Sequence, residues 1–194
     1  EQVIPLVADV AEVVVQEEQN GTAGAVKVCA DALANFDGSL VVLSGDCPLI
    51  TSETIASLVE LREREDAACV VLTMTLADPF GYGRIIRDTD GQVKRIVEQK
   101  DATAEEARVC ECNSGFYCFD ARALFEALAH VDNNNAQGEF YLTDVLEICR
   151  NNGRKVLALE TQDANECLGV NSRIQLAEAT EQLQQRINCA HMQA

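Results

Sequence analysis

The chain has 194 residues, 47 % of them hydrophobic, which is typical of a single α/β domain with a buried core. Its formal net charge of −17 argues against nucleic acid as a partner, because binding to a phosphate backbone relies on clustered Lys and Arg. The sequence contains neither an apolar run long enough to span a membrane nor a secretion signal. We therefore expect a cytoplasmic protein without a membrane partner.

Strands and helices alternate in the first part of the chain. The predicted elements are a strand at 12–15, a helix over 22–36, a strand at 39–45, a helix over 51–66 and a strand at 67–76. Thr51 and Ser52 are candidate N-caps of the second helix. Such alternation predicts right-handed crossovers and a parallel sheet.

The second part of the chain adds an antiparallel patch. Residues 83–99 form a predicted hairpin, turning at the Asp-Gly pair 90–91. The remaining predicted elements are a strand at 110–120, helices over 120–130 and 142–152, a strand at 155–160 and a helix from Ser172. Together they predict one mixed α/β domain without a linker to a second domain.

Cysteine and histidine indicate no metal chemistry. The nine cysteines are irregularly spaced without a C-x-x-C pair, so we expect small buried hydrophobic residues in a reducing compartment. His130 and His191 lack partners at the spacing that a zinc site requires.

An acid directly follows the apolar strand at 39–45. Ligands of open α/β sheets bind outside the carboxyl ends of strands, and Gly45 lets a ligand approach the backbone closely. A carboxylate at that place suits Mg²⁺, so Asp46 is a candidate metal ligand. The alternative is that Asp46 only caps the turn that contains Pro48.

Three polar segments are further candidates. The loop QEEQNGTAG (16–24) precedes a helix and is able to present N–H groups and a hydroxyl to a base or a phosphate. The glycines of DPFGYGRI (78–85) form either a simple turn or a backbone wall against a sugar. Glu98 and Lys100, at the end of the hairpin, are expected to be an exposed charge pair.

Two asparagines occupy positions where the polar side chain must have a hydrogen-bond partner or a ligand. Asn113 lies in an otherwise apolar strand, where its amide requires a hydrogen-bond partner. Asn171 lies at a strand-to-helix junction, where it either caps the last helix or offers an oxygen to a metal ion.

Seven segments, taken in order, resemble one enzyme family. They are QEEQNGTAGA, LSGDCPL, DPFGYGRI, IVEQKDAT, ECNSGFY, NNNAQGEFYLTD and LGVNSRIQL. The series resembles the uridylyltransferase (pyrophosphorylase) domain of the bifunctional bacterial N-acetylglucosamine-1-phosphate uridylyltransferase/glucosamine-1-phosphate acetyltransferase. The resemblance covers the chain from about residue 12 to residue 178.

The resemblance implies a fold and a reaction. The fold is α/β, with the Rossmann-like, mostly parallel mixed sheet of nucleotide-diphospho-sugar transferases. Residues 1–194 would form a partial, N-terminally truncated nucleotidyltransferase domain without the acetyltransferase β-helix. The reaction is Mg²⁺-dependent transfer of UMP from UTP to N-acetylglucosamine 1-phosphate, which gives UDP-N-acetylglucosamine and pyrophosphate.

The resemblance also implies roles for ten residues. Residues that match the uracil- and ribose-contacting loop are Gln16, Gly21 and Thr22. The two that match the protein ligands of the catalytic Mg²⁺ are Asp46 and Asn171. Those that match the sugar-binding positions are Gly83, Glu98 and Asn113, with Tyr141 and Thr143 bordering the same pocket.

The chain departs from the family pattern in several places. It lacks the Gly-rich loop L-A-A-G-x-G-T-R-M and the catalytic Lys, so we expect weak or absent turnover and an open strand edge that favours self-association. Ala23 and Gly24 stand where the family commonly has Gly and His, and Ser44 stands where it often has Tyr.

Three other functions remain as alternatives. The first is a nucleotidyltransferase for another sugar 1-phosphate or base. The second is a non-catalytic module that binds sugar nucleotides. A metal-dependent glycosyltransferase is disfavoured, because Asp46 is followed by Cys47 and Pro48 and the usual D-x-D motif is absent.

Overall fold

The computed structural model describes residues 2–193 and contains a six-stranded sheet. The strands are β1 (Ser39–Val42), β2 (Cys69–Thr75), β3 (Arg84–Arg87), β4 (Val93–Val97), β5 (Glu111–Asp120) and β6 (Val156–Glu160). The helices are α1 (Ile4–Val7), α2 (Thr22–Lys27), α3 (Ser52–Glu65), α4 (Ala121–Leu128), α5 (Asp144–Asn151) and α6 (Arg173–Gln193). Two 3₁₀ turns lie at Glu106–Arg108 and Ala164–Cys167.

Strand β5 is the centre of the sheet. The order is β4-β3-β5-β2-β6, and β1 pairs with β5 as well. Only the β2–β6 pair is parallel; β5 is antiparallel to β1, β2 and β3. The α/β class is therefore confirmed, but the expectation of a mostly parallel sheet is wrong. Strands β1 and β2 run in the same direction, as their crossover through α3 requires, yet β5 lies between them.

The register shows how β5 separates the two strands. Cys118 of β5 faces Val41 of β1 on one side and Val70 of β2 on the other. On the outer side of β1, no strand pairs with it among residues 2–193. The expected self-association through an open edge stays a prediction.

Helices cover both faces of the sheet. Val71 and Phe119 pack with Leu124 of α4 on one face, whereas Val70 packs with Leu58 of α3 on the other. Burial on both faces explains why β2 and the second half of β5 read as nearly continuous apolar runs. All nine cysteines are free thiols and six are buried, but Cys29 is only partly buried, and Cys110 and Cys189 are exposed.

Local signals located several elements correctly. Thr51 caps α3 by accepting a hydrogen bond from the amide of Thr54 at 3.2 Å. The hairpin β3–β4 turns at Gly91, whose φ of 77° suits glycine. The helices α4, α5 and α6 also form close to the predicted ranges 120–130, 142–152 and from Ser172.

Two predicted elements near the start of the chain are wrong. Residues 12–15 form no strand, because no other described strand lies beside them, and Val13, Val14 and Val15 are 38 %, 39 % and 55 % exposed. The helix expected over 22–36 ends at Lys27. Its first turn buries Ala23 and Gly24, but the following residues are mostly exposed, so little packing supports a longer helix.

Residues 2–193 contain no helix that is both long and apolar enough to cross a membrane.

Candidate active site

A cleft of about 290 Å³ opens where β1 and β4 end, beside the middle of β5. Its floor includes the apolar side chains of Val42 and Leu142. The polar residues that line it are Thr22, Ser44, Glu98, Asn113, Tyr117 and Thr143. These residues come from five separate segments of the sequence, since Asn113 and Tyr117 share β5, so only the fold brings them together.

Glu98 and Asn113 line one wall of the cleft, and Gly83 adjoins both of them. The amide of Asn113 donates to the carbonyl oxygen of Gly83 at 2.8 Å. A Cβ added to Gly83 would lie 3.0 Å from Ile96 Cγ2, 3.4 Å from Asn113 Cβ and 3.4 Å from Glu98 Oε2. Gly83 therefore has no room for a side chain, and the three predicted sugar-site residues are brought together.

The Asn113 amide is oriented from two sides. Its Nδ2 donates to Tyr117 Oη at 2.7 Å, and its Oδ1 accepts the amide of Gly115 at 3.0 Å. Gly115 has a φ of 84° at a register shift between β2 and β5, and it lines the cleft itself. One N–H of Nδ2 remains for a ligand.

Tyr117 was missed by the sequence analysis. Its side chain is 3 % exposed, and burial raises the pKa of the phenol, so the hydroxyl is neutral at physiological pH. It also stacks on Phe119, with ring centroids 5.4 Å apart. Because alternate residues of a strand share a face, the i, i+4 spacing from Asn113 is the signal that would have identified it.

Glu98 and Thr143 form a second polar contact in the cleft. Thr143 Oγ1 donates to Glu98 Oε1 at 3.3 Å. Burial raises the pKa of the Glu98 carboxyl above its usual value, although the Thr143 hydrogen bond and the charge of Arg84 oppose this shift. Tyr141, the other predicted border residue, is buried and does not line the cleft.

The expectation of an exposed Glu98–Lys100 charge pair is wrong. Glu98 is largely enclosed in the cleft, whereas Lys100 Nζ donates to Gln137 Oε1 in the Asn-rich loop. Asp101 Oδ1 accepts the amide of Ala136 at 2.8 Å and ties the same two loops together. Lys100 and Asp101 thus dock the end of β4 against the segment that precedes α5.

The loop 16–24 forms another wall by joining the backbone at residues 140–142. Phe140 donates its amide to Asn20 O at 2.8 Å and accepts the amide of Ala23 at 2.9 Å. Thr22 Oγ1 accepts the amide of Leu142 at 3.0 Å. The predicted nucleotide loop is therefore held against the EFYLTD segment by both backbone and side-chain hydrogen bonds.

Gly21 permits this close approach. Its φ is 113°, and an added Cβ would lie 2.4 Å from Phe140 O and 2.8 Å from Phe140 N. Gln16 braces the same loop, because its Nε2 donates to Asn20 Oδ1 at 3.0 Å and to Gly21 O at 3.2 Å.

Asp46 and Asn171 meet over Gly169. A Cβ on Gly169 would lie 3.0 Å from Asp46 Oδ2 and 3.4 Å from Asn171 Nδ2. The amide of Val170 donates to Asp46 O at 2.8 Å, and the amide of Asn171 donates to Gln175 Oε1 at 2.8 Å. Both side chains are exposed, and Asp46 follows the cleft residue Ser44 by two positions.

This pair is small for a metal site made by protein alone. Across residues 2–193, no group of three or more His, Cys, Asp or Glu side chains is arranged to hold a metal ion. Mg²⁺ is nevertheless commonly bound by only one or two protein oxygens, while substrate phosphates and water complete its coordination shell. The Asp46 carboxylate and the Asn171 amide are able to supply such oxygens.

The family model and similar curated proteins both indicate a nucleotidyl transferase. The nucleotidyl transferase family matches residues 8–180. The chain is 51 % identical over 187 residues to the bifunctional protein GlmU of Lactobacillus helveticus, covering 96 % of the chain and 41 % of that protein. It is 49 % identical to the protein of the same name from Corynebacterium glutamicum, covering 99 % and 41 %. The chain thus spans about two fifths of the length of these relatives.

Two solved structures share the fold. One is a UDP-glucose pyrophosphorylase complexed with UDP-glucose, at a TM-score of 0.70 and 16 % identity, covering 96 % of this chain and 72 % of the other. The second is a putative glucose-1-phosphate thymidylyltransferase from Bacillus anthracis in complex with a sucrose. Its TM-score is 0.66 and its identity 21 %, covering 92 % and 69 %.

Proposed function

The chain belongs to the nucleotidyl transferase family, and from that premise we propose that it transfers UMP from UTP to N-acetylglucosamine 1-phosphate. The products are UDP-N-acetylglucosamine and pyrophosphate. The observation that carries the proposal is that Glu98 and Asn113 line one cleft, with Gly83 adjoining both residues. We also propose that residues 1–194 are part of the nucleotidyltransferase domain of their protein.

The cleft supports a sugar substrate with an N-acetyl group. The Glu98 carboxylate accepts hydrogen bonds from sugar hydroxyls, and the free N–H of Asn113 donates to the acetyl carbonyl. Tyr117 and Gly115 hold the Asn113 amide in one orientation before the substrate binds. This preorganisation lowers the cost of ordering the site on binding.

The loop 16–24 supports the nucleotide. Its backbone is fixed against Phe140, and Thr22 lines the same cleft as the sugar-site residues. A nucleotide bound to this loop therefore lies beside the proposed sugar. The two substrates are then held with the sugar phosphate near the α-phosphorus of UTP.

Asp46 and Asn171 are the residues that would hold Mg²⁺. Gly169 leaves room for both side chains, and the hydrogen bond from Val170 fixes the backbone of Asp46. When bound, Mg²⁺ supplies positive charge that neutralises phosphate oxygens in a domain with a net charge of −17.

The reaction needs no covalent enzyme intermediate. An oxygen of the sugar phosphate forms a bond to the α-phosphorus of UTP while the bond to the bridging oxygen breaks and pyrophosphate leaves. The side chains of this chain bind and orient both substrates for in-line attack, so positioning and charge neutralisation supply most of the catalysis.

Binding of the product tests the proposed function. We expect residues 1–194 to bind UDP-N-acetylglucosamine at least about 10-fold more tightly than UDP-glucose in calorimetric titration, because only the former fills the contact with Asn113. Equal affinity for the two sugars would contradict the choice of substrate. Binding of neither uridine nucleotide would contradict the proposed function.

Replacing Glu98 with Gln is expected to separate stability from binding. Burial raises the pKa of this carboxyl, so its ionisation stabilises the unfolded chain more than the folded one. E98Q should therefore raise the melting temperature at pH 7.5, and this gain should vanish as the pH falls below the unfolded-state pKa. Affinity for UDP-N-acetylglucosamine should fall about 10-fold or more, because a charged acceptor is lost.

The exposed Glu60→Gln exchange in the middle of α3 is the control for E98Q. It should change neither the melting temperature nor the affinity. A lower melting temperature for E98Q at pH 7.5, or unchanged affinity, would contradict the assigned role.

Replacing Gly169 with Ala is expected to disturb the proposed metal site without a charge change. The new Cβ would lie 3.0 Å from Asp46 Oδ2 and 3.4 Å from Asn171 Nδ2, so the side chains of the pair must shift by a few tenths of an ångström. We expect the affinity for Mn²⁺ in the presence of UDP-N-acetylglucosamine, measured by electron paramagnetic resonance as a probe for Mg²⁺, to fall about 10-fold. Gly38→Ala is the matched control, since its Cβ meets only the Phe36 ring at 3.5 Å. Equal Mn²⁺ affinity in both variants would contradict this site.

A further inference from the structure

The side chain of Asn20 fills the space that a side chain at position 24 would need. An ideal Cβ on Gly24 would lie 1.8 Å from Asn20 Oδ1 and 3.0 Å from Asn20 Cγ. Gly24 lies inside α2 and has no positive φ, so its backbone conformation does not require glycine. What requires glycine at this position is the room taken by the Asn20 amide and by Gln16 Nε2, which would lie 2.9 Å from the added Cβ.

Asn20 in turn fixes the amide of Gln16. Nε2 of Gln16 is 3.2 Å from the carbonyl oxygen of Gly21, which only accepts, so the atom at this place must be the amide nitrogen. The same nitrogen is 3.0 Å from Asn20, which must therefore present its oxygen. Both N–H groups of Gln16 are used within the loop, and its Oε1 is the polar atom left for a ligand.

We propose that Asn20, with the room that Gly24 provides, is a positioning residue that makes Gln16 a hydrogen-bond acceptor towards the nucleobase. The three residues Gln16, Asn20 and Gly24 form what we call the amide clasp. This inference rests on the proposed function, because it requires a nucleotide on the loop 16–24.

The clasp has a consequence for base selection. Ring nitrogen N3 of uracil carries a hydrogen and donates, whereas N3 of cytosine has none and accepts. An amide that is locked with its oxygen outwards favours the first base. An amide free to turn by 180° offers either its oxygen or its nitrogen, and so it distinguishes the two bases less well.

The affinity ratio for UDP and CDP measures the clasp, since these ligands differ only in the base. Calorimetric titration of wild type and variants gives both dissociation constants. We expect Asn20→Ala to weaken UDP about 10-fold and CDP less than about 2-fold, so that the preference for UDP falls. Asn20→Asp keeps an oxygen acceptor for Gln16 and should retain most of the preference. The exposed Asn152→Ala is the control and should leave both constants unchanged.

A double-mutant cycle tests the part played by Gly24. Gly24→Ala should lower the preference for UDP as Asn20→Ala does, because the new Cβ expels the Asn20 amide. The double variant Asn20→Ala/Gly24→Ala should be no worse than Gly24→Ala alone, since that single change already displaces the Asn20 side chain from Gln16. Additive losses would overturn the clasp.

The outcomes separate the inference from the proposed function. A wild type that prefers UDP, together with an unchanged preference in Asn20→Ala, overturns the positioning role alone. Loss of the preference for UDP over CDP in Asn20→Asp would also overturn the positioning role alone. A wild type that binds neither UDP nor CDP overturns the proposed function and the inference with it. Should Asn20→Ala fail to fold, the Gly24→Ala ratio makes the same decision.

Discussion

Replacing Asp46 with Asn is expected to lower kcat/KM about 100-fold or more in the longest natural form of the protein that contains these residues. The variant keeps the size of the side chain and removes its negative charge, which is what a divalent cation requires. Because Asp46 is exposed, the melting temperature should stay within about 2 °C of the wild type. A pyrophosphate-release assay at several Mg²⁺ concentrations measures the effect, and high Mg²⁺ should restore part of the activity.

Asp90→Asn is the matched control for D46N. Asp90 is exposed in the β3–β4 turn, and the same change of charge there should leave kcat/KM unchanged. If D46N and D90N had equal activity, Asp46 would be only a turn residue, which is the alternative that the sequence left open.

Replacing Gly21 with Ala is expected to cause the largest combined loss of stability and binding. A Cβ at this place would lie 2.4 Å from Phe140 O, and the φ of 113° disfavours any side chain. The loop must then leave the backbone of residues 140–142, breaking the contacts of Asn20, Ala23 and Thr22. We expect about 2–3 kcal/mol less unfolding free energy, measured by urea denaturation, and about 10-fold or greater weakening of UDP binding.

The control for G21A is Gly38→Ala, which has ordinary contacts and should change unfolding free energy by less than about 0.5 kcal/mol. Urea denaturation and UDP titration of both variants decide the point. A G21A protein as stable as G38A would mean that the loop is not clamped to Phe140. A destabilised G21A that binds UDP normally would mean that the clamp supports the fold but not the nucleotide.

The sequence predicts the elements whose signals are local. The Thr51 cap, the helical apolar spacing of α3 and the Gly91 turn are each contained within a few residues, and each formed as expected. The place of β5 between β1 and β2 was not predictable in this way. An apolar residue such as Cys118 is compatible with any neighbouring strand, so its identity does not indicate that β1 and β2 lie beside it. Pairing of strands far apart in sequence depends on the whole chain, and alternation with helices alone favoured a parallel neighbour.

For the candidate site, the residues implied by the family resemblance, apart from Tyr141, form three clusters, one of which is the loop that contains Gln16, Gly21 and Thr22. Gly83, Glu98 and Asn113 adjoin each other, as do Asp46 and Asn171, but their roles remain predictions. The prediction of an exposed Glu98 was wrong, because Thr143, which contacts its carboxylate, lies 45 residues away in the sequence. The close packing of Asn20 on Gly24 was equally hidden, since the two glycines of the loop 16–24 usually indicate no more than a turn.

The central claim, that the cleft selects N-acetylglucosamine 1-phosphate for uridylyl transfer, is tested most directly by pyrophosphate release. The longest natural form of the protein that contains these residues is assayed with UTP and Mg²⁺, and the sugar is either N-acetylglucosamine 1-phosphate or glucose 1-phosphate. The proposed function predicts turnover with the N-acetyl sugar and at least about 10-fold lower kcat/KM with glucose 1-phosphate, and Asn113→Ala should abolish most of this difference. Equal turnover of the two sugars, or turnover of neither, would contradict it.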